Sequence, residues 1–428
     1  MNNDIKSLFD FLKKGVCNFY AVDAAKDILN AAGYTEKCLC KAFSAQPGDK
    51  FYVTKNDSAI FAVKVGKKPV AETGFRIIAA HSDSPCFRLK PNCEIACEGG
   101  IVKLNTEVYG GPILYTWFDR PLSLAGRVVL RGDDDLHPRS ELVRFNKPLL
   151  SIPHLAIHFN RAVNEGNPLS KQKDMLPIIA KAEKGAEKGL IKSLVAQELN
   201  VNADDILDFD LMIYDVQEPM LYGVNEEFIS SGRLDDLSMA HCALQAITNA
   251  ENDDVTCVAA IFDNEETGSG TKQGAHSPVL ANLLHSLTLA LGGDYEQFCQ
   301  AVAKSFMVSA DNAHAFHPNY PEKFDPTNHP AMGGGPVIKV NANCKYMSDA
   351  HSAAVFMALG KSAGVNVQYF VNHSDVAGGS TLGNIFTGQL DIEGVDVGNP
   401  MLAMHSCRES ASVSDHIGMI QIMKQFFK

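Results

Sequence analysis

Four apolar runs in this sequence each end on residues able to ligate a metal ion or move a proton. FRIIAA leads into His81-Ser82-Asp83, VTCVAAIF into Asp263-Asn264-Glu265-Glu266, SFMVSA into Asp311, and MLAM into His405. A fifth position, Asp235, stands in SSGRLDDLSMAHCALQA just ahead of an amphipathic helical pattern. Two imidazoles and three carboxylates suit zinc, cobalt or manganese better than a thiolate-loving metal. A carboxylate has two oxygens, so Asp235 is suited to sit between a pair of cations. His81, Asp235, Glu266, Asp311 and His405 are therefore the candidate ligands of two divalent ions, Zn2+ first, with Co2+ or Mn2+ as alternatives.

Asp83, two residues past His81, is the candidate acceptor for the second ring N–H of that histidine, the usual device for orienting a metal-bound imidazole. On extended backbone the neighbouring Glu265 and Glu266 would face opposite ways. Glu266 is then assigned to the metal and Glu265 to proton transfer, a contribution of roughly 10²- to 10⁴-fold in rate. The chemistry this set points to is two-metal hydrolysis.

Residues so far apart meet only if the fold delivers them to one place. In an open α/β sheet the carboxyl ends of the strands form a common rim where ligands assemble. The periodicity predicts such a layer over residues 1–91 and 222–428: α/β, a mostly parallel mixed sheet flanked by helices. Residues 92–221 differ. IVKLNTEVYGGPILYTWF and LAGRVVL alternate and are broken by Gly, Pro and Asp turns, which predicts an inserted antiparallel β-rich domain. Within it KAEKGAEKG reads as a solvated, broken helix. Gly333–Gly335 reads as a flexible turn, since no Lys-Ser/Thr follows to make a phosphate loop.

Composition narrows the function classes. The 428-residue chain is 46% hydrophobic and 21% charged with a net charge of -12, which fits a soluble globular protein and disfavours nucleic acid as a partner. Eleven cysteines, scattered and without a Cys-x-x-Cys pair, argue against a disulfide framework and for a reducing, cytoplasmic setting. The start, MNNDIKSLFDFLKKGV, reads as an amphipathic helix rather than a signal sequence. No run approaches the roughly 20 apolar residues of a membrane span. A serine hydrolase is disfavoured because no Gly-x-Ser-x-Gly elbow occurs. Cys86 and Cys407 read as inert buried thiols rather than nucleophiles.

The segments AAHSDSPCFRLKP, SSGRLDDLSM, FDNEETGS, SADNAHAFHPNYP and AMHSCRES, with YGGPILYTWFDRPLSLAGRV and IPHLAIHFNR between them, resemble the aspartyl aminopeptidase family. The likeness runs in order from about residue 75 to 410. It implies removal of an acidic amino-terminal residue from peptides, a zinc-peptidase-like catalytic domain, and a β-rich dimerisation domain within a homo-oligomer, a tetrahedral dodecamer. It also implies one ion on His81, Asp235 and Asp311, the other on Asp235, Glu266 and His405, and Glu265 as general base. On its own His158 reads as a core or surface histidine and Lys339 as an exposed strand lysine. The resemblance instead implies that His158 reaches a neighbouring subunit's site and that Lys339 pairs with an acidic first side chain. Asp236 and Val376-Ala377 depart from the family pattern, which bears on metal charge and on pocket shape. The rivals are a two-metal carboxypeptidase or acyl-amino-acid deacylase, and a non-catalytic scaffold or cargo homologue; the intact Glu265 argues against the last.

Overall fold

In the computed structural model, which describes residues 2–183, 185 and 187–428, the amino terminus forms the expected amphipathic helix, α1 (Asn3–Lys14). Asn2 caps it, its side chain accepting the N–H of Asp4, and Ile5, Leu8, Phe9, Phe11 and Leu12 are buried along one stripe. That spacing is the helical period of a core-facing surface.

The chain divides into two compact units: Met1–Asp83, Pro219–Met404 and Glu409–Lys428 form the first, Ser84–Glu218 and His405–Arg408 the second. The sequence reading put the division at 91 and 222. The first boundary falls earlier because Cys86–Ala96 is one continuous strand of the second unit.

The first unit is built on a nine-stranded mixed sheet. Its strands are β1 (Thr35–Glu36), β2 (Lys50–Lys55), β3 (Ala59–Lys64), β4 (Phe75–His81), β5 (Thr256–Phe262), β6 (Phe306–Ala310), β7 (Val337–Val340), β8 (Gln368–Val371) and β9 (Glu393–Gly398). Their spatial order is β1-β2-β3-β5-β4-β6-β9-β7-β8. At its centre β5, β4, β6 and β9 run parallel. Every residue of β5 is buried, which explains its unbroken apolar run.

Alternation along these strands feeds two cores. Ile78, Ala80, Ala259, Ile261, Val308 and Val397 face helices α1, α2 (Asn18–Ala31), α3 (Leu234–Thr248) and α4 (Val413–Phe426). Ile77, Ala79, Val258, Ala260 and Met307 face the helices Val279–Ala290 and Tyr295–Ala303. Each fully buried large side chain in such a layer contributes about 1.5–3 kcal/mol of transfer free energy. The MLAM run is not part of this sheet: Pro400–Leu402 belongs to a separate five-stranded sheet of the same unit. Three of the four runs therefore share one rim and the fourth does not, because an apolar run does not encode which strand it will pair with.

The second unit is a six-stranded antiparallel sheet, in the order Arg139–Arg144, Leu122–Leu130, Ile206–Asp215, Cys86–Ala96, Ile101–Tyr109 and Ile178–Lys181. Phe87, Trp117, Leu124, Val128 and Leu211 form its core. At Gly126 an added Cβ would lie 1.9 Å from the carbonyl oxygen of Asp210, so only glycine fits that strand crossing. The KAEKGAEKG reading falls partly outside the described residues, at Lys184 and Ala186; Gly185 and Glu187–Gly189 are turn, and the helix starts at Leu190.

Two further expectations change. The Gly333–Gly335 turn is clasped: the carboxylate of Asp415 accepts the N–H groups of Gly333 (2.7 Å) and Gly335 (2.8 Å). Cys38 and Cys40 form a disulfide across one exposed residue, a local clip and not a framework; the other nine cysteines are thiols.

Candidate metal centre

Parallel pairing aligns the ends of β5, β4 and β6. Phe262 stands beside His81 and Ser309 beside Ala79, so the residues after β5 and β6 emerge next to His81. Asp235 arrives from the first turn of α3, where it is extended (φ -83°, ψ 106°) and joined to Asp236 by a cis peptide bond.

His81 is fully buried. Its Nδ1–H donates to the carbonyl of Asp83 at 3.1 Å, so Nε2 is the nitrogen that would bind a cation in place of a proton. That atom is buried and without a hydrogen-bond partner among the described residues. It stands 3.7 Å from Oδ1 of Asp235 and 3.8 Å from Oδ1 of Asp311, too far for hydrogen bonds and suited to ligands sharing one cation. Ligand atoms of His81, Asp235, Asp236 and Asp311 all lie within 4.8 Å of one another, as do those of His81, Glu265 and Glu266.

The electrostatics carry the same message. Burial, then neighbouring negative charge, pushes Glu265 up to about 8, and Glu266 and Asp236 well above the usual carboxylate range. Burial alone would lower the His81 imidazole, but Asp236, Asp311 and Asp83 hold it well above its ordinary value. Burial would likewise raise Asp311, but Lys339 and His81 pull it below the ordinary range. Crowded acids that resist ionisation and an imidazole that retains a proton mark a place where a cation would relieve repulsion. The donor set thus fits divalent metal.

Glu265 and Glu266 sit on a single 3-10 turn, Glu265–Thr267, rather than on extended backbone. Neighbours there diverge by a third of a turn instead of pointing oppositely. Asp83 organises that turn: its two carboxylate oxygens accept the N–H groups of Glu265 and Glu266, each at 3.1 Å, while Oδ1 also lies 3.3 Å from Nδ1 of His81.

Three contributors were not singled out as site residues. Asp236 accepts the backbone N–H of His81 and an N–H of the Asn312 side chain, both at 3.2 Å. Asn312 also bonds the carbonyl of Leu234. Glu409 accepts the backbone N–H of Asp235 at 3.1 Å. For Asp236 and Asn312 the one sequence signal is adjacency to a predicted ligand; Glu409 stands four residues past His405 and has none.

The remaining candidates are placed as follows. His405 has a left-handed backbone (φ 67°), and its Nδ1–H donates to the carbonyl of Gly111 at 3.1 Å, again leaving Nε2 as the basic nitrogen. His158 is exposed in a turn of the second unit. Lys339 is 4% exposed, not the exposed strand lysine of the simplest reading, and lies 3.2 Å from Oδ2 of Asp311. A cleft of about 290 Å³ in the first unit is lined in part by His314, His317, Lys323, His373 and Met404.

The sequence matches the family described as "Aminopeptidase I zinc metalloprotease (M18)" over residues 11–427. The chain belongs to the M18 aminopeptidases. A probable M18 family aminopeptidase 2 of Clostridium novyi is 50% identical over the whole of both chains. Among solved structures, the Ape4 and Nbr1 complex superposes with a TM-score of 0.94 at 35% identity, covering 99% of this chain and 85% of that one. The S. cerevisiae mApe1 dodecamer gives 0.87 at 23% identity, covering 99% and 96%, a likeness of fold. Membership of a zinc metalloprotease family implies a metal, and the His81 cluster is a donor set that fits one. No helix among the described residues is long and apolar enough to cross a membrane.

Proposed function

We propose that this M18 member removes an acidic amino-terminal residue, Asp or Glu, from peptides in the cytoplasm, using two divalent cations, Zn2+ first. One cation would rest on His81, Asp235 and Asp311, the other on Asp235, Glu266 and His405. The observation that carries the reading is the buried Nε2 of His81, unbonded and facing two carboxylates. When bound, the ions supply Lewis acidity toward the scissile carbonyl and lower the pKa of coordinated water from ~16 toward ~7.

The chain's own groups do the rest. The Glu265 carboxylate takes a proton from the attacking water and returns it to the leaving amine. Asp83 holds the Glu265–Glu266 turn at a fixed distance from His81. Lys339 carries the positive charge that would pair with an acidic first side chain. The cleft beside His314 and Met404 offers basic and apolar walls for the peptide.

The protein would act as a homo-oligomer, dimers assembled into a dodecamer through the β-rich unit. The exposed Leu155 (56%) and Phe159 (81%) flanking His158 support this, because such apolar surface is unusual on an isolated molecule. The solved mApe1 dodecamer is a relative of that size. His158 would then steady the substrate carbonyl in a neighbouring copy.

The test is release of the first residue from matched peptides beginning with Asp, Glu, Leu or Lys, each with and without an acetylated amino terminus. The expected result is fastest cleavage of the Asp and Glu peptides and none of the acetylated ones. Cleavage of acetylated peptides, or from the carboxyl end, would overturn the aminopeptidase assignment. A Leu or Lys preference would overturn the acidic specificity alone.

A further inference from the structure

Lys339 lies on β7, away from the strand that delivers Asp311. β7 pairs with β9 through Ile338 and Val397, and β9 pairs with β6 through Val397 and Ala310. Its side chain therefore reaches across β9 toward the end of β6. The ammonium arrives 3.2 Å from Oδ2 of Asp311, while Oδ1 of the same carboxylate is the oxygen turned to Nε2 of His81 at 3.8 Å. The two oxygens are thus divided between a protein cation and the imidazole of the cluster.

From this division we infer that Lys339 is a positioning residue for Asp311, fixing it as a one-oxygen ligand; the inference rests on the reading of Asp311 as a metal ligand. A carboxylate free to rotate can present either oxygen or both. An ammonium is a compact point charge that holds one oxygen and leaves the other for the ion. Outer partners of this kind orient ligands and tune the metal. Burial favours the same duty: a lysine kept only to meet incoming peptide would present its nitrogen to solvent, whereas this side chain is 5% exposed and already engaged. The ring of Tyr346, 5.7 Å from Nζ, limits its freedom further.

The experiment compares wild type, Lys339→Met and Lys339→Arg, each with cobalt in place of zinc. The readouts are the visible d–d absorption of the cobalt and, for the zinc enzymes, kcat and KM on Asp- and Leu-initiated peptides. Positioning predicts a changed cobalt spectrum in Lys339→Met and a kcat loss of about 10- to 100-fold on both peptides, in addition to any rise in KM that loss of the proposed side-chain pairing causes for the Asp peptide. Lys339→Arg keeps the charge and shifts the donors, so its spectrum should fall between the other two; it also serves if the Met variant does not fold. An unchanged spectrum in the folded variants, with KM raised for the Asp peptide alone, would overturn the inference and leave Lys339 acting on substrate only. If wild type cleaves no peptide, the functional reading fails while the cobalt spectra still decide the Lys339–Asp311 relation.

Discussion

His81 and His405 are held in the same way: each donates Nδ1–H to a backbone carbonyl, of Asp83 and Gly111 respectively, so that under the proposed reading Nε2 is the nitrogen each would offer a metal. Under the proposed ligand set His81→Ala removes the imidazole donor of the first cation, so it should yield protein depleted of metal by elemental analysis. Normal metal content would strike His81 from the ligand set. Glu265 is different in kind. Glu265→Gln should retain the metals and lose about 10²- to 10⁴-fold in kcat; full turnover would remove it from proton transfer. Asp83 makes both outcomes interpretable, because it fixes the backbone of the Glu265–Glu266 turn and the ring of His81 at once.

At the scale of elements, three adjacent parallel strands bring His81, Glu265, Glu266 and Asp311 together, and the non-helical first turn of α3 adds Asp235. α3 is itself anchored by a buried chain of neutral side chains. Nδ1 of His241 lies 3.1 Å from Nε2 of His416 on α4, and Nε2 of His241 lies 3.0 Å from Oγ of Ser7 on α1. Burial pushes His416 down to about 3, and burial, with His416 and Lys424, holds His241 well below its usual value. Both folded values lie below the roughly 6.5 of the unfolded chain. The unfolded state therefore gains protons first, and stability should fall as pH drops from about 6.5 toward 3, each ring costing at most ~1.4 kcal/mol per pH unit. Thermal melts of wild type and His416→Gln at pH 7.5, 5.5 and 4.5 check this: the variant should lose less stability on acidification, and parallel curves would contradict it. The elements differ in how legible they were. Runs such as VTCVAAIF announce buried strands by composition, and their polar endings mark the rim. MLAM carried the same signal yet joined another sheet, since pairing partners are tertiary. Asp236 and Glu409 were opaque because their roles are hydrogen bonds to the backbone N–H groups of His81 and Asp235, a relation no local pattern encodes.

For the whole molecule, the net charge of -12 favours solubility, and the exposed apolar turn around His158 is the surface the proposed assembly would cover. Light scattering on the purified protein should give the mass of a dodecamer of 46.4 kDa chains. A monomer with undiminished activity would remove His158 from the mechanism. The proposed pair of cations can be tested directly, by anomalous diffraction at the zinc edge from crystals of the metal-loaded enzyme. Two peaks about 3.5–4 Å apart, with Asp235 between them, His81 and Asp311 on one and Glu266 and His405 on the other, are the predicted result. A single peak, or none touching His81 and Asp235, would contradict it.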